Sequence, residues 1–359
     1  MCYILTLRKR LSVKTKNGKE VMNMISMKDI AAKCGVSVAT VSKALNDHND
    51  IGETTKKQVK RVAKELGYLP NSSARALKTR RTYNIGVLFV DEGRSGLTHD
   101  YFSHVLDSFK VTAEQNGFDI TFINCSTRKS RMSYLEHSLY RGVDGVVIAC
   151  VDFYDPEVIE LIHSELPIVT IDHVFDYRIA VVSDNVSGIY DLLTYVYECG
   201  HRKIAYIHGD DTSVTQNRLG SFYRTLEQLR IEVPDEYIKN GLYRNPDLAA
   251  ELTKELLDLK EPPTCIFYPD DYSCIGGINA IKERKLRIPQ DISVVGYDGT
   301  YISQIIDPRI TTIQQNSKEI GRVAAEKLIS LIENPKTTLI EKIVIKGDVV
   351  KGDSVGTLE

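Results

Sequence analysis

Apolar residues recur three and four positions apart through Met27–Lys33, Val38–Leu45 and Thr54–Leu66, with polar breaks at Cys34-Gly35 and Asn46–Gly52. That spacing predicts three short amphipathic helices. Ser37 is a start signal for the second helix, Glu53 or Thr54 for the third, and Gly67 a stop. The pattern fails after Leu69: Pro70 ends what precedes it, and Ser72–Lys78 holds two helical turns at most. A helix that short is marginal in water on its own, so this segment reads as a hinge.

From Tyr83 the period changes. Short apolar runs at Asn84–Val90, Phe118–Asn124, Gly145–Cys150, Pro167–Ile171, Lys203–His208, Thr264–Tyr268 and Ser293–Tyr297 alternate with helical patterns. The helical stretches lie near 101–116, 129–141, 155–165, 187–199, 217–231, 247–259, 271–286 and 317–333. Such alternation predicts an α/β fold with doubly wound parallel sheets and helices on both faces. Roughly 275 residues exceed one comfortable core, so two lobes are expected. Ligands in such sheets bind outside the carboxyl ends of the strands. The expected domains are a disordered extension over 1–25, a helical headpiece over 26–70, a hinge over 71–82 and a two-lobed body over 83–359.

Charge sharpens the division. Residues 1–81 hold 18 Lys and Arg against 6 Asp and Glu, whereas the remaining 278 hold 28 against 42. A basic module joined to an acidic body points to a polyanion partner at one end only. No run approaches the roughly 18 apolar residues of a membrane helix. The seven cysteines include no C-x-x-C pair and the eight histidines no H-E-x-x-H, so neither a disulfide framework nor a metal site is expected, and a reducing cytoplasm fits. Met1–Glu20 places its charges after a short apolar stretch, opposite to an export signal; Met24 is a candidate start, with 1–23 an extension. Nucleophile-elbow and phosphate-loop motifs are missing. The acid pairs Asp210-Asp211 and Asp270-Asp271 read as solvated loop acids, so no catalytic residue and no cofactor are expected.

Met27–Asn46 has the logic of a helix-turn-helix. Ala31 lets the helices approach, Gly35 permits the tight turn, and Val36 and Val41 pin the pair. Val38, Ala39, Ser42 and Lys43 are then left on an outer face fit for a major groove. Ser37, Thr40 and Asn46 are suited to phosphate oxygens.

These residues resemble the headpiece and hinge of the lactose-repressor (LacI) family of bacterial regulators. The matching pieces are Lys28-Asp-Ile-Ala31, Gly35-Val-Ser37, Thr40-Val-Ser42, Gly67-Tyr68, Pro70-Asn71 and Ala74-Arg-Ala-Leu-Lys78. The resemblance continues through Asn84-Ile-Gly-Val, Asp144-Gly-Val-Val, Gly200-His-Arg-Lys-Ile-Ala, Pro289–Asp298 and Thr311–Gln315. It implies hinge helices that form on the operator, with Leu77 wedged into a base step of the minor groove beside Ala74 and Lys78. It also implies a homodimer on a palindromic site. Val38, Ala39 and Lys43 match base-reading positions; only Lys43 of the three can hydrogen-bond a guanine edge.

The body resembles periplasmic sugar-binding proteins, which implies an effector cleft between the lobes. Tyr101 and Phe102 match aromatic ligand contacts, Asp298 an acidic one, and Arg218, at the opening of a helix over 218–230, the family's arginine. Asp270 departs from the family at a place where several relatives carry asparagine. Phe153, Tyr154, Phe175 and Tyr272 are further aromatic candidates in loops after strands; Trp is absent. Carboxylate and guanidinium together suit vicinal hydroxyls, and a ring covers the apolar face of a sugar. The expected function is a cytoplasmic repressor of carbohydrate genes that answers a small effector, such as a mono- or oligosaccharide. The alternatives are control by a protein or phosphosugar corepressor, and a solute-binding protein of a sugar importer, which the basic headpiece opposes.

Overall fold

The computed structural model describes residues 12–14, 20–22, 25–68, 81–90, 96–125 and 131–358, and the chain divides into two units, Met1–Thr82 and Tyr83–Glu359. In the first unit, helices form at Met27–Cys34, Val38–Leu45 and Glu53–Leu66. The Ser37 hydroxyl accepts from the Thr40 amide at 3.0 Å, satisfying a donor that has no partner within the second helix. Gly35 and Gly67 adopt φ of 68° and 71°, the left-handed conformation that ends a helix without a Cβ penalty. The three apolar stripes meet in a core that includes Ile30, Ala31, Val41, Ala44, Val59 and Val62, with Val36 packed at its edge.

Upstream, β1 (Ser12–Lys14) pairs antiparallel with β2 (Glu20–Met22), Val13 facing Val21 in the register.

The second unit contains β3 (Asn84–Phe89), β4 (Asp119–Ile123), β5 (Gly145–Ala149), β6 (Ile168–Ile171), β7 (Ile179–Ser183), β8 (Ile204–His208), β9 (Ile238–Asn240), β10 (Cys265–Phe267), β11 (Ser293–Val295), β12 (Thr312–Gln314), β13 (Lys342–Ile345) and β14 (Asp348–Val350). One lobe is built on a parallel sheet in the order β13-β7-β6-β5-β3-β4, the other on a parallel sheet in the order β11-β10-β8-β9. Successive strand residues face opposite ways, so each sheet carries two cores. In the first lobe Val87, Val147, Val169 and Val181 pack under the helices Asp100–Gln115 and Ser317–Glu333. Leu88, Val146, Ile148 and Ile168 pack on the other face. Tyr206 and Phe267 divide from Ile207 and Ile266 in the same way in the second lobe. Both lobes are therefore doubly wound.

The chain crosses between lobes three times. Ser183 ends β7 in the first sheet, and Ile189, Leu192 and Val196 of the next helix lie in a second-lobe core. After β12 the chain returns as Ser317–Glu333, and after β13 it leaves again to pair β14 with β12. The crossings run side by side: the Asp184 amide donates to the Ile345 carbonyl at 2.8 Å.

Five strands of the second unit escape the sequence pattern. β9, β12 and β14 are three residues each. β13 is an edge strand with two exposed side chains. β7 follows β6 with no helix between them, which hides it from a search for alternation. The helix expected over 218–230 begins earlier, at Ser213, capped by the Thr212 hydroxyl. Its first turn, Ser-Val-Thr-Gln, carries almost no apolar stripe, and Arg218 sits on its second turn rather than opening it.

Helices Pro246–Leu257 and Asp271–Glu283 pack through Gly276, where a Cβ would lie 1.9 Å from the Pro246 carbonyl oxygen. Backbone cannot yield as a side-chain tip does, so overpacking here is costly. Gly276→Ala is expected to lower the free energy of unfolding by about 1–3 kcal/mol in urea titrations; an unchanged midpoint would show that the two helices can move apart freely.

Candidate nucleic-acid interface and effector cleft

On the Val38–Leu45 helix, Val41 and Ala44 are buried while Val38, Ala39 and Lys43 are exposed. Helical geometry thus presents Val38, Ala39 and Lys43 on one outward face, with Ser42 half-buried beside them. Four of the polar residues expected to meet DNA also bond within the unit. Ser37 and Thr40 share a hydroxyl contact of 2.9 Å, and the Asn46 amide donates to the Ser42 carbonyl at 2.7 Å. Lys43 forms an ion pair with Asp50. Both of its partners are about half exposed, so exchanging Asp50 for a base edge or a phosphate costs little. Ala74, Leu77 and Lys78 lie outside the described residues.

In the body a cavity of about 460 Å³ opens at the carboxyl ends of strands from both lobes. Cys150 follows β5, Asp172 follows β6, Asp210 and Asp211 follow β8, Asp270 follows β10 and Asp298 follows β11. Four lining residues that are not glycine, Cys150, Asp172, Arg244 and Asp298, have φ between 52° and 99°. Side chains adopt that region at a cost, and such strain concentrates where a site fixes the backbone.

Arg218 anchors the floor. Its guanidinium donates through Nε to Asn185 Oδ1 (2.7 Å) and through Nη1 to the Pro269 carbonyl (2.8 Å). It lies 3.5 Å from the centre of the Tyr297 ring, and Nη2 stands 3.9 Å from Asp298 Oδ1. Asp298 Oδ1 also accepts from Gln315 Nε2 at 2.7 Å. Burial pushes the Asp298 carboxyl up to about 7 against the pull of Arg218, with Asp270 adding to the rise. Asp172 accepts from Tyr101 Oη at 2.7 Å and from the Ser183 amide at 2.9 Å. Its carboxyl is nevertheless raised, again by burial.

An aromatic wall stands on the first lobe. Phe153 stacks on His173 at 4.3 Å and 10°, Phe175 tilts against His173 at 4.7 Å, and Tyr154 meets it edge-on at 6.0 Å. Burial holds His173 below its ordinary value. Its Nδ1 is 3.2 Å from Ser213 Oγ, which donates to the Asp172 carbonyl at 3.1 Å. Ser213 belongs to the second lobe, so this hydroxyl bridges the cleft.

Seven of the nine residues expected to contact an effector line the cavity: Tyr101, Phe102, Phe153, Tyr154, Arg218, Asp270 and Asp298. Phe175 does not line it and packs against His173. Tyr272 does not line it. Its ring lies 4.2 Å from the Arg244 guanidinium, because the helix that starts at Asp271 turns it toward the loop before Pro246. Asp270 lines the cavity, yet one oxygen caps that helix through the Ser273 amide and the other accepts from the Arg244 amide and Ser273 Oγ. It orders the wall more than it offers an acceptor. Asp172, His173, Ser213, Tyr243 and Arg244 were missed. Asp172-His173 was findable, since polar residues directly after the buried run Ile168–Ile171 occupy a strand's carboxyl end.

Among the described residues no group of His, Cys, Asp or Glu could hold a metal ion, and no helix is long and apolar enough to cross a membrane. The six described cysteines are free thiols.

Comparison with known proteins finds relatives of both units. Residues 26–71 match the model of bacterial regulatory proteins of the lacI family, and residues 193–355 match a periplasmic binding protein-like domain. The chain is 31% identical over 340 residues to the "Probable HTH-type transcriptional repressor ExuR" of Bacillus subtilis (strain 168), covering 93% of this chain and 99% of that one. In fold it is similar to the Lac repressor dimer bound to operator and the anti-inducer ONPF, with a TM-score of 0.78 and 24% identity over 93% of this chain and all of that one. It is also similar to the transcriptional regulator CelR in complex with cellobiose, with a TM-score of 0.67 and 24% identity over 92% and 99% of the two chains. A solute-binding protein would carry no such headpiece. The chain belongs to the lacI family of bacterial regulatory proteins, and is a DNA-binding transcription regulator with an effector-binding body.

Proposed function

We propose that this regulator represses carbohydrate-utilisation genes as a homodimer on a palindromic operator, and that a small polyhydroxylated effector between its lobes sets its grip on DNA. The observation that carries this reading is the floor of the cleft, where a buried Arg218–Asp298 pair faces an aromatic wall. Carboxylates take hydroxyl donors and rings cover the apolar face of a sugar. The complex of CelR with cellobiose supports a saccharide in such a cleft. The regulator acts where its operator is, in the cytoplasm.

On the DNA side, Val38, Ala39 and Lys43 read bases while Ser37, Thr40, Ser42 and Asn46 set register on the backbone. Ala74, Leu77 and Lys78 occupy the minor groove at the centre of the site. The effector shifts the balance between two lobe arrangements by binding one more tightly, which changes how well the paired hinges fold on DNA.

Lys43→Ala is expected to weaken binding to an operator selected from random DNA by about 10- to 100-fold, the worth of one bidentate base contact. Fluorescence anisotropy at fixed salt measures this, and an equal loss on unrelated DNA would reduce Lys43 to a phosphate contact. Leu77→Ala is expected to lose operator bending in a gel-based bend assay while the body melts normally; full bending in the variant would remove Leu77 from the wedge role.

Asp298 adds a pH dependence. Its folded-state value of about 7 lies above the ordinary 3.8, so the folded form binds the proton more tightly than the unfolded chain. The stability this contributes is full below about pH 4 and is lost as pH rises through 7. The melting temperature is expected to fall between pH 5 and 8, and to fall less in Asp298→Asn. A steeper fall in the variant would assign the effect to other groups.

A further inference from the structure

We infer that the cleft admits uncharged or amine-bearing polyols and turns away carboxylated and phosphorylated ones. This rests on the reading of the cleft as the effector site and narrows it by charge. Among the described residues the lining includes six carboxylates, Asp152, Asp172, Asp210, Asp211, Asp270 and Asp298, against the guanidinium groups of Arg218 and Arg244. Arg218 offers an anion little, since it is 2% exposed and already bonded to Asn185, Pro269 and Asp298 over the Tyr297 ring. Arg244 lies against Tyr272.

The acceptors tell the opposite story. Asp152 is tied by one oxygen to the Tyr154 amide, Asp210 by one to the Tyr243 amide, and Asp211 by one to Gln216. Asp298 is tied by one to Gln315. Among the described residues each of these four is held in place through one oxygen, and its second takes no hydrogen bond. A ligand that satisfies them must bring donors, which hydroxyl and ammonium groups have and which carboxylate and phosphate lack at neutral pH. A cleft lined by one sign of charge also focuses its field and concentrates counter-ions. The raised carboxyls of Asp172 and Asp298 fit a pocket in which burial is poorly offset by cations. A ligand ammonium would supply the missing offset.

The sequence has no tryptophan, so one can be introduced as a probe. Tyr154 is 70% exposed on the cleft rim, and Tyr301 is 74% exposed and outside the lining. Tyr154→Trp and Tyr301→Trp would be made separately in the full chain, and their fluorescence quenched by caesium and by iodide at matched ionic strength. At position 154 the caesium-to-iodide quenching ratio is expected to exceed that at 301 at least threefold, and the excess to vanish on adding Asp210→Asn and Asp211→Asn. A ratio at 154 equal to or below that at 301 overturns the inference. In parallel, the unaltered chain is melted with glucose, glucosamine, glucuronate, glucose 6-phosphate and the four galactose counterparts. Stabilisation by a neutral or amino sugar supports the inference, and the largest shift with a uronate or a phosphate overturns it. Silence across all eight counts against the saccharide reading above, while the quenching ratio still decides the question of charge.

Discussion

Burying one guanidinium organises the body of this regulator. A charge removed from water is tolerated only when its donors find acceptors and its face finds a ring. For Arg218 those partners come from separate stretches of chain: Asn185 at the start of one helix, Pro269 at the end of β10, and Tyr297 and Asp298 after β11. Satisfying Arg218 therefore sets the helix after the first crossing and the ends of two strands in a single arrangement. Asp271 reinforces it from behind. Its two oxygens accept from the Thr300 amide and hydroxyl and from the Thr312 hydroxyl, holding the loop that carries Asp298 against β12. The floor of the cleft is in this sense one hydrogen-bonded body.

The lobes meet across that floor through lighter contacts. Ser213 reaches Asp172 and His173, and the crossing strands touch through Asp184 and Ile345. Hydrogen bonds of this kind contribute about 0.5–1.5 kcal/mol each. Such a contact is of the same order as allosteric coupling energies, typically 1–3 kcal/mol. Two sheets joined by weak contacts and three crossings make a joint that a ligand can bias. A single welded core would not.

The layout of the molecule was largely legible in the sequence, because burial dictates period. Three helical stripes, the strand–helix alternation and the break near Thr82 all follow from which residues leave water. The outward face of the Val38–Leu45 helix was legible for the same reason: once Val41 and Ala44 are assigned inward, Val38, Ala39 and Lys43 have nowhere to point but outward. What the sequence hid was set by contacts distant along the chain. Asp270 looked like a ligand contact, but the oxygen not used to cap its helix is taken by the Arg244 amide, 26 residues away. Tyr272 looked like a stacking ring and is covered by that same arginine. Ser213 carried no signal, because its importance lies in a partner 41 residues upstream in the other lobe.

The left-handed backbone at Asp172 and Asp298 limits how a cleft of this design can diverge. With φ of 59° and 99°, these positions accept glycine, asparagine or aspartate far more readily than branched or bulky residues. Descendants of such a site can trade a carboxylate for an amide, or delete the side chain, without disturbing the strand ends. They cannot easily fill the space with an apolar group or bring a lysine to the floor. Ligand preference would then drift along a short chemical alphabet, between acceptor and mixed donor–acceptor, while the scaffold and its coupling to DNA stay unchanged.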